Sequence, residues 1–270
     1  MGAHKMFWNL VEGCVNITSG KLNYVAFGKG QRNLIIIQGL NVRDLKGAGA
    51  SLALMYQMFA KDYRVWFFDR RMVVEEGLTN WDLSEDIYDA MNALNIDSAD
   101  VYGVSQGGMI ALALTLEHPE RVNRLVLGVT ASRANENIKK VVSKWVNCAL
   151  NQDHITINKE TFSLMYTEGY LKKYKLFMPL LVRMIKPKDF GRFAILASAI
   201  LDFDCYDRLS EIKCPVLVLG GAQDKIITGE ASIEIAQKLN CEIHMYPEYS
   251  HAAYEEAKDI NNKIYDFFLK

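Results

Sequence analysis

The stretch Ala99-Asp-Val-Tyr-Gly103-Val-Ser105-Gln-Gly107-Gly-Met-Ile-Ala111 runs from a short apolar segment into a helical one, with Gly-Val-Ser-Gln-Gly at the junction. A strand that turns sharply into a helix pushes the side chain at the turn out of the sheet. Small residues on either side let backbone and helix approach closely enough for that turn to form. Ser105 is therefore the candidate nucleophile. G-x-S-x-G is short enough to arise by chance, so the reading depends on whether the rest of the chain supplies a serine's partners.

Outward from this junction, Leu34–Ile37, Val65–Phe68, Leu125–Leu127 and Val216–Leu219 are further apolar runs, too short for helices and bounded by turn residues. Such runs are what parallel strands covered on both faces look like. Helical patterns lie between them; Leu83, Ile87, Met91 and Leu94 recur at spacings of three and four and predict one buried face. Alternating strands and helices predict an α/β fold with a mostly parallel central sheet and right-handed crossovers. From about Ser132 to Ile200 the alternation stops and the chain reads as consecutive helices, with Trp145, Phe162, Met165, Tyr170, Phe177, Leu180, Leu181, Met184 and Phe193 among their apolar residues. The expected organisation is a core of residues 1–131 and 201–270 with a helical cap, 132–200, over the sheet's C-terminal edge. The aromatic and methionine side chains of the cap are expected mainly in its own core.

A chain of 270 residues, half of them apolar, can bury one sizeable core. Its net charge of −1 gives no global field favouring nucleic acid or an anionic membrane. Residues 132–200, however, carry twelve Lys or Arg against five Asp or Glu. That excess reads first as the solvated outer face of the cap helices, and otherwise as attraction of an anionic substrate toward a cleft beneath them. No run of 18 apolar residues is present, and no membrane insertion is expected. The first ten residues lack a signal-peptide core, and Met6 stands where myristoylation needs Ser or Thr. Cys14, Cys148, Cys205, Cys214 and Cys241 are odd in number and widely spaced, as structural thiols of a cytoplasmic protein would be. No zinc spacing, P-loop or dinucleotide fingerprint occurs, and no metal or organic cofactor is expected.

A serine hydroxyl needs a base within hydrogen-bond reach and a third group to orient that base. Of five histidines, His4 lies in the terminal segment, His118 in the turn ending the helix after Ser105, His154 in the helical block and His244 inside a strand-like run. His251 alone follows a final strand through a loop, where a base can reach a nucleophile on the same sheet edge. The acid should follow another strand end. Asp224 does so after Val216–Leu219, with Asp202, Asp204 and Asp207 as rivals that read better as anchors of the cap's exit. The chain order Ser, Asp, His suits such an arrangement. Backbone N–H donors for an oxyanion are expected from Gln106 and from Leu40, in the Gln38-Gly-Leu-Asn41 loop after an early strand.

With these residues in hand, the chain resembles the α/β-hydrolase fold superfamily, of the single-domain capped type that includes esterases, enol-lactonases and carbon–carbon bond hydrolases. The resemblance covers nearly the whole chain. It rests on Gly103–Gly108, on Pro119-Glu-Arg-Val122 before Leu125-Val-Leu, on Cys214-Pro-Val-Leu-Val-Leu-Gly-Gly-Ala-Gln-Asp224 and on Tyr249-Ser-His251. It implies a triad of Ser105, Asp224 and His251. Two departures stand out. Gln38-Gly39 replaces the usual His-Gly, and Asp69-Arg-Arg71 is followed by Met72-Val-Val-Glu-Glu76 where relatives carry two glycines and a serine. The expected activity is hydrolysis of an ester, thioester or lactone of a small to medium, largely apolar molecule through an acyl-enzyme. Carbon–carbon cleavage, lyase or acyl-transfer chemistry on the same triad is one alternative, and a non-catalytic ligand-binding relative another.

Overall fold

The computed structural model describes residues 9–41 and 44–270; the readings of His4 and Met6 lie outside the described residues. Eight strands form one sheet: β1 (Val11–Ile17), β2 (Gly20–Phe27), β3 (Arg32–Ile37), β4 (Tyr63–Phe68), β5 (Ala99–Val104), β6 (Val122–Gly128), β7 (Val216–Gly221) and β8 (Glu242–Tyr246), in the order β1-β2-β4-β3-β5-β6-β7-β8. Every pairing from β4 to β8 across that order is parallel, whereas β1 and β2 are antiparallel to each other and β2 to β4. The helices are α1 (Gly49–Met55), α2 (Asn80–Ala93), α3 (Gln106–Glu117), α4 (Glu136–Leu150), α5 (His154–Met165), α6 (Glu168–Tyr174), α7 (Met178–Met184), α8 (Phe190–Ser198), α9 (Gly229–Leu239), α10 (Ala253–Glu256) and α11 (Ile260–Leu269).

The apolar runs behave as strands buried on both faces. Ile35, Ile37, Val101, Leu125, Leu127 and Val218 pack into a core on one side of the sheet. Their neighbours Leu34, Ile36, Tyr102, Val126, Leu217 and Leu219 pack into a second core on the other. Successive side chains of one strand point to opposite faces, so an unbroken apolar run fills two cores at once. In α2 the predicted stripe holds: Leu83, Ile87 and Met91 are buried, and Leu94 follows as the C-cap. Thr79 opens this helix with a capping box, its hydroxyl accepting from the Asp82 amide while the Asp82 carboxylate accepts from the Thr79 amide.

The β1–β2 hairpin is absent from the sequence reading. β1 is an edge strand in which Val15 alone is fully buried, so its apolar residues are interspersed rather than contiguous. Its signal was the tight connection Thr18-Ser19 into Gly20, which sits at φ +130°. Between β6 and β7 lie five helices, α4 to α8, and no named strand. The chain leaves and rejoins the sheet layer at one neck, where Cys205 donates to the Ser132 carbonyl at 2.8 Å and Ala134 to the Phe203 carbonyl at 2.9 Å. Among the described residues no helix is long and apolar enough to cross a membrane.

Candidate active site

Ser105 stands between the end of β5 and the start of α3 with φ 54° and ψ −123°. A non-glycine residue held there costs about 1–3 kcal/mol, which the surroundings must offset. They do so with short bonds: the Ser105 amide donates to the Gly128 carbonyl at 2.9 Å, and the Thr130 hydroxyl donates to the Ser105 carbonyl at 2.6 Å. The flanking glycines are set by close approach. A Cβ at Gly103 would fall 2.5 Å from the Gly107 carbonyl oxygen, and one at Gly107 would fall 2.0 Å from that of Ile37. The turn therefore brings α3 against the end of β3.

His251 reaches Ser105 from the loop after β8. Its Nε2 lies 3.0 Å from Ser105 Oγ, and its Nδ1 lies 2.7 Å from Asp224 Oδ2. Asp224 is buried, and its other oxygen accepts from the amides of Ile226 and Ile227 at 2.8 and 3.0 Å. A carboxylate held in this way only accepts, so Nδ1 carries the imidazole proton and Nε2 is free to accept from the serine hydroxyl. The His251 loop is packed against the turn after β7: a Cβ at Gly221 would meet the Ser250 carbonyl oxygen at 2.2 Å. On its other side the loop is tied to the end of α5, where the Ser250 hydroxyl donates to the Leu164 carbonyl and the Ala252 amide to that of Met165, both at 2.8 Å.

Leu40 and Gln106 both border the space above Ser105. Gly39 brings the Leu40 loop over the serine, since a Cβ there would meet Ser105 Cβ at 3.1 Å. Neither the Leu40 nor the Gln106 amide donates a hydrogen bond among the described residues. Two free backbone donors in residues that border the serine's cavity are of the kind a developing oxyanion needs. The loop's position is fixed by Arg70, a buried side chain that donates to the Gln38 carbonyl at 2.7 Å and whose loss of hydration pulls its pKa down to about 10. Arg192, from α8, in turn donates to the carbonyls of Arg71 (2.5 Å), Arg70 (3.2 Å) and Met72 (3.3 Å). The departure at residues 69–76 thus places its carbonyls toward the helical segment, which supplies the cation that satisfies them.

Above the serine is a cavity of about 290 Å³. Its walls come from the sheet edge (Ile36, Val104), from α1 and the residue after it (Leu52, Met55, Tyr56), and from the helical segment (Ile138, Val142, Trp145, Ile157, Phe162, Met165, Phe193). Trp145 and Phe193 are buried in the hydrophobic core, as expected, and Met165 packs against it, yet these three and Phe162 also border the cavity. Phe177, Leu180, Leu181 and Met184 are exposed instead. Glu255 is the cavity's one carboxylate, and no Lys or Arg lines it among the described residues. The surplus cations of the segment lie elsewhere. The glutamate accepts a hydrogen bond from the Tyr166 hydroxyl at 2.6 Å, a contact that together with burial pushes the Tyr166 phenol well up.

The other histidines are engaged away from Ser105. His118 stacks on Tyr88 and meets Glu85 at 2.8 Å, His154 begins α5, and His244 lies in β8 with burial pulling its pKa down. Of the rival aspartates, Asp204 caps the Tyr206 amide and pairs backbone to backbone with Arg133 at the neck, Asp202 borders a separate cleft beside Trp81, and Asp207 sits in the following short helix. Burial pushes the thiols of Cys205, Cys214 and Cys241 up, to about 12, 11 and 11, as befits inert structural cysteines. Arg70, Arg192 and Glu255 were not read from the sequence as parts of the site. The Arg70-Arg71 pair after a strand was the available signal for the first, and nothing local marked the other two.

The family model described as the alpha/beta hydrolase fold matches residues 42–258. The chain is 29% identical over 206 residues to the proposed carbamate hydrolase RutD of Caulobacter sp. strain K31, an alignment covering 72% of this chain and 76% of that one. It is 24% identical over 301 aligned positions to a 2-hydroxy-6-oxononadienedioate/2-hydroxy-6-oxononatrienedioate hydrolase of Paraburkholderia phymatum, covering 98% and 96%. Among solved structures, the enol-lactonase from Burkholderia xenovorans LB400 superposes with a TM-score of 0.84 at 22% identity, over 96% of this chain and all of that one. The chain belongs to the alpha/beta hydrolase fold family.

Proposed function

We propose that the protein is a serine hydrolase that cleaves an ester, thioester or lactone of a small to medium, largely apolar molecule through an acyl-enzyme. The observation that carries this reading is the unbroken hydrogen-bonded chain from Ser105 Oγ through His251 to Asp224 at the floor of an apolar cavity. Ser105 attacks the carbonyl while His251 Nε2 takes the hydroxyl proton and later donates it to the leaving group. Asp224 fixes the tautomer and stabilises the imidazolium. The Leu40 and Gln106 amides bind the oxyanion, and a water activated by His251 then releases the acyl group. In this reading residues 132–200 act as a cap that closes the cavity and desolvates the reacting carbonyl. The relatives' names, a carbamate hydrolase and an enol-lactonase among them, support hydrolysis at a carbonyl. A lining with one glutamate and no described cation supports a neutral substrate over a dianion such as the dioate named for one relative.

Fluorophosphonate labelling and a panel of chromogenic esters graded in chain length, with one carbamate, test the proposal. Wild-type protein should label at Ser105 and turn over the shorter neutral members. Ser105→Ala should do neither while keeping the wild-type melting curve. Turnover that survives Ser105→Ala would end the nucleophile assignment. Labelling without hydrolysis of any panel member would point to another reaction on the same triad.

A further inference from the structure

Residues 169–188, Gly-Tyr-Leu-Lys-Lys-Tyr-Lys-Leu-Phe-Met-Pro-Leu-Leu-Val-Arg-Met-Ile-Lys-Pro-Lys, contain six cations and no acidic residue. They form α6 after its first residue, Glu168, then α7 and the residues that follow it, and in α7 Val182 alone is buried. Its inner side is fixed by Asn158 of α5, whose side-chain amide donates to the carbonyls of Val182 at 2.9 Å and Ile185 at 2.5 Å. The outer side is apolar: Leu176 is 89% exposed, Phe177 61%, Leu180 57% and Met184 62%. Large apolar side chains in contiguous positions, rimmed by one sign of charge, mark a surface that meets something other than water. Lys175 and Arg183 make no ion pair among the described residues, Lys172 has only an exposed contact to Glu168 at 3.7 Å, and Lys188 at the far end pairs with Asp44 at 2.9 Å.

We propose that this face docks on an anionic lipid surface. α7 lies along the interface with Leu176, Phe177, Leu180 and Met184 at the acyl boundary, and the surrounding lysines and Arg183 meet the lipid phosphates. Charge selects this occupant. A second copy docking through the same face would bring an excess of cations against the same excess, with Glu168 and Asp44 as the neighbouring carboxylates on each side. The rest of the chain is net negative, so the protein's field favours presenting this face to an anionic sheet. The contact is peripheral, as no described helix is long and apolar enough to span. It adjoins the cavity over Ser105, which Ile185 lines one residue beyond α7.

The test is co-sedimentation of the full-length protein with vesicles of phosphatidylcholine alone or with about 30% phosphatidylserine, and it uses no turnover, so it stands apart from the chemistry at Ser105. Binding is expected to the anionic vesicles only and to fall steeply with added salt. Lys173→Glu with Lys175→Glu should weaken it roughly 25-fold or more, about fivefold per cation removed. Phe177→Asp with Leu180→Asp should abolish it, each variant keeping the wild-type melting curve; Lys173→Gln alone serves if a double variant melts. No sedimentation with anionic vesicles, or sedimentation indifferent to both variants, overturns the proposal. So does a wild-type dimer in light scattering that both variants split, since the face would then be occupied by a second copy.

Discussion

Replacing Asp224 by Asn changes one atom, and the structure dictates how the new side chain must turn. Oδ1 of Asp224 accepts from two backbone amides, of Ile226 and Ile227, at 2.8 and 3.0 Å. An asparagine that turned its NH2 toward those amides would set donor against donor in a buried pocket, at a cost of about 1–3 kcal/mol for each lost bond. The carboxamide oxygen therefore stays on the amides, and the NH2 faces His251 Nδ1 where a carboxylate oxygen stood at 2.7 Å. Nδ1 must then accept, the ring proton moves to Nε2, and the atom 3.0 Å from Ser105 Oγ becomes a donor instead of a base. Loss of the productive tautomer costs about 10⁴ in kcat in serine proteases, close to 5.5 kcal/mol of transition-state stabilisation. The same order is expected here for hydrolysis of whichever chromogenic ester the wild type prefers, with a parallel fall in the fluorophosphonate labelling rate and little change in KM. An Asp224→Asn protein within tenfold of wild type on both readouts would refute the reasoning and direct attention to Asp202 or Asp204.

Gly107→Ala should destabilise by about 3 kcal/mol or fail to fold, because its Cβ meets the Ile37 and Gln38 carbonyl oxygens at 2.0 and 2.5 Å; chemical denaturation reads this directly. Arg192→Ala removes three carbonyl contacts between α8 and residues 70–72, and should speed limited proteolysis within 70–76 several-fold while leaving the melting temperature of the core nearly unchanged. Asp100, packed between β3 and β6, has its carboxyl pushed up by burial despite Arg32 and the Tyr63 hydroxyl. The raised value means that the protonated form favours folding, a contribution full below the unfolded aspartate value and lost as pH rises through the folded one. Denaturant midpoints of Asp100→Asn relative to wild type should therefore move in the variant's favour from about pH 4 upward; a difference that is flat with pH would contradict the burial argument.

The parallel strands were legible because a strand covered on both faces needs apolar residues at every position. Val216–Gly221 supplies them without interruption, and Ala99–Val104 does so with one exception, Asp100. The β1–β2 hairpin escaped because an edge strand needs only every second position, and Gly13, Cys14 and Asn16 broke what pattern remained. Ser105, Asp224 and His251 could be nominated from strand ends and chain order, since each lies within four residues of a strand or helix boundary. Arg70 and Arg192 could not. Their work is to satisfy backbone carbonyls of a loop whose path exists only in three dimensions, and a guanidinium that bonds to carbonyls leaves no partner residue type in the sequence to match it with. The division of the helical segment's apolar residues was hidden for a related reason. Trp145 and Phe177 are equally apolar in sequence, yet one closes a cavity and the other faces out, because α7 is held to α5 through Asn158 and a single buried valine.

The stitching between the His251 loop and the end of α5 governs how a molecule can reach Ser105. Ser250 and Ala252 bond to the carbonyls of Leu164 and Met165, Tyr166 to Glu255, and Thr167 to Glu256 through both its amide and its hydroxyl. Swinging α5 away to open the cavity would either break this seam or drag the imidazole out of line with the serine. The doorway must therefore hinge elsewhere. The seam makes the end of α5 and Thr167, the N-cap of α6, a fixed jamb; α7, held by the Asn158 amide and one buried valine, is the side with least to break. Traffic and chemistry can then proceed in one protein without the base ever leaving its post.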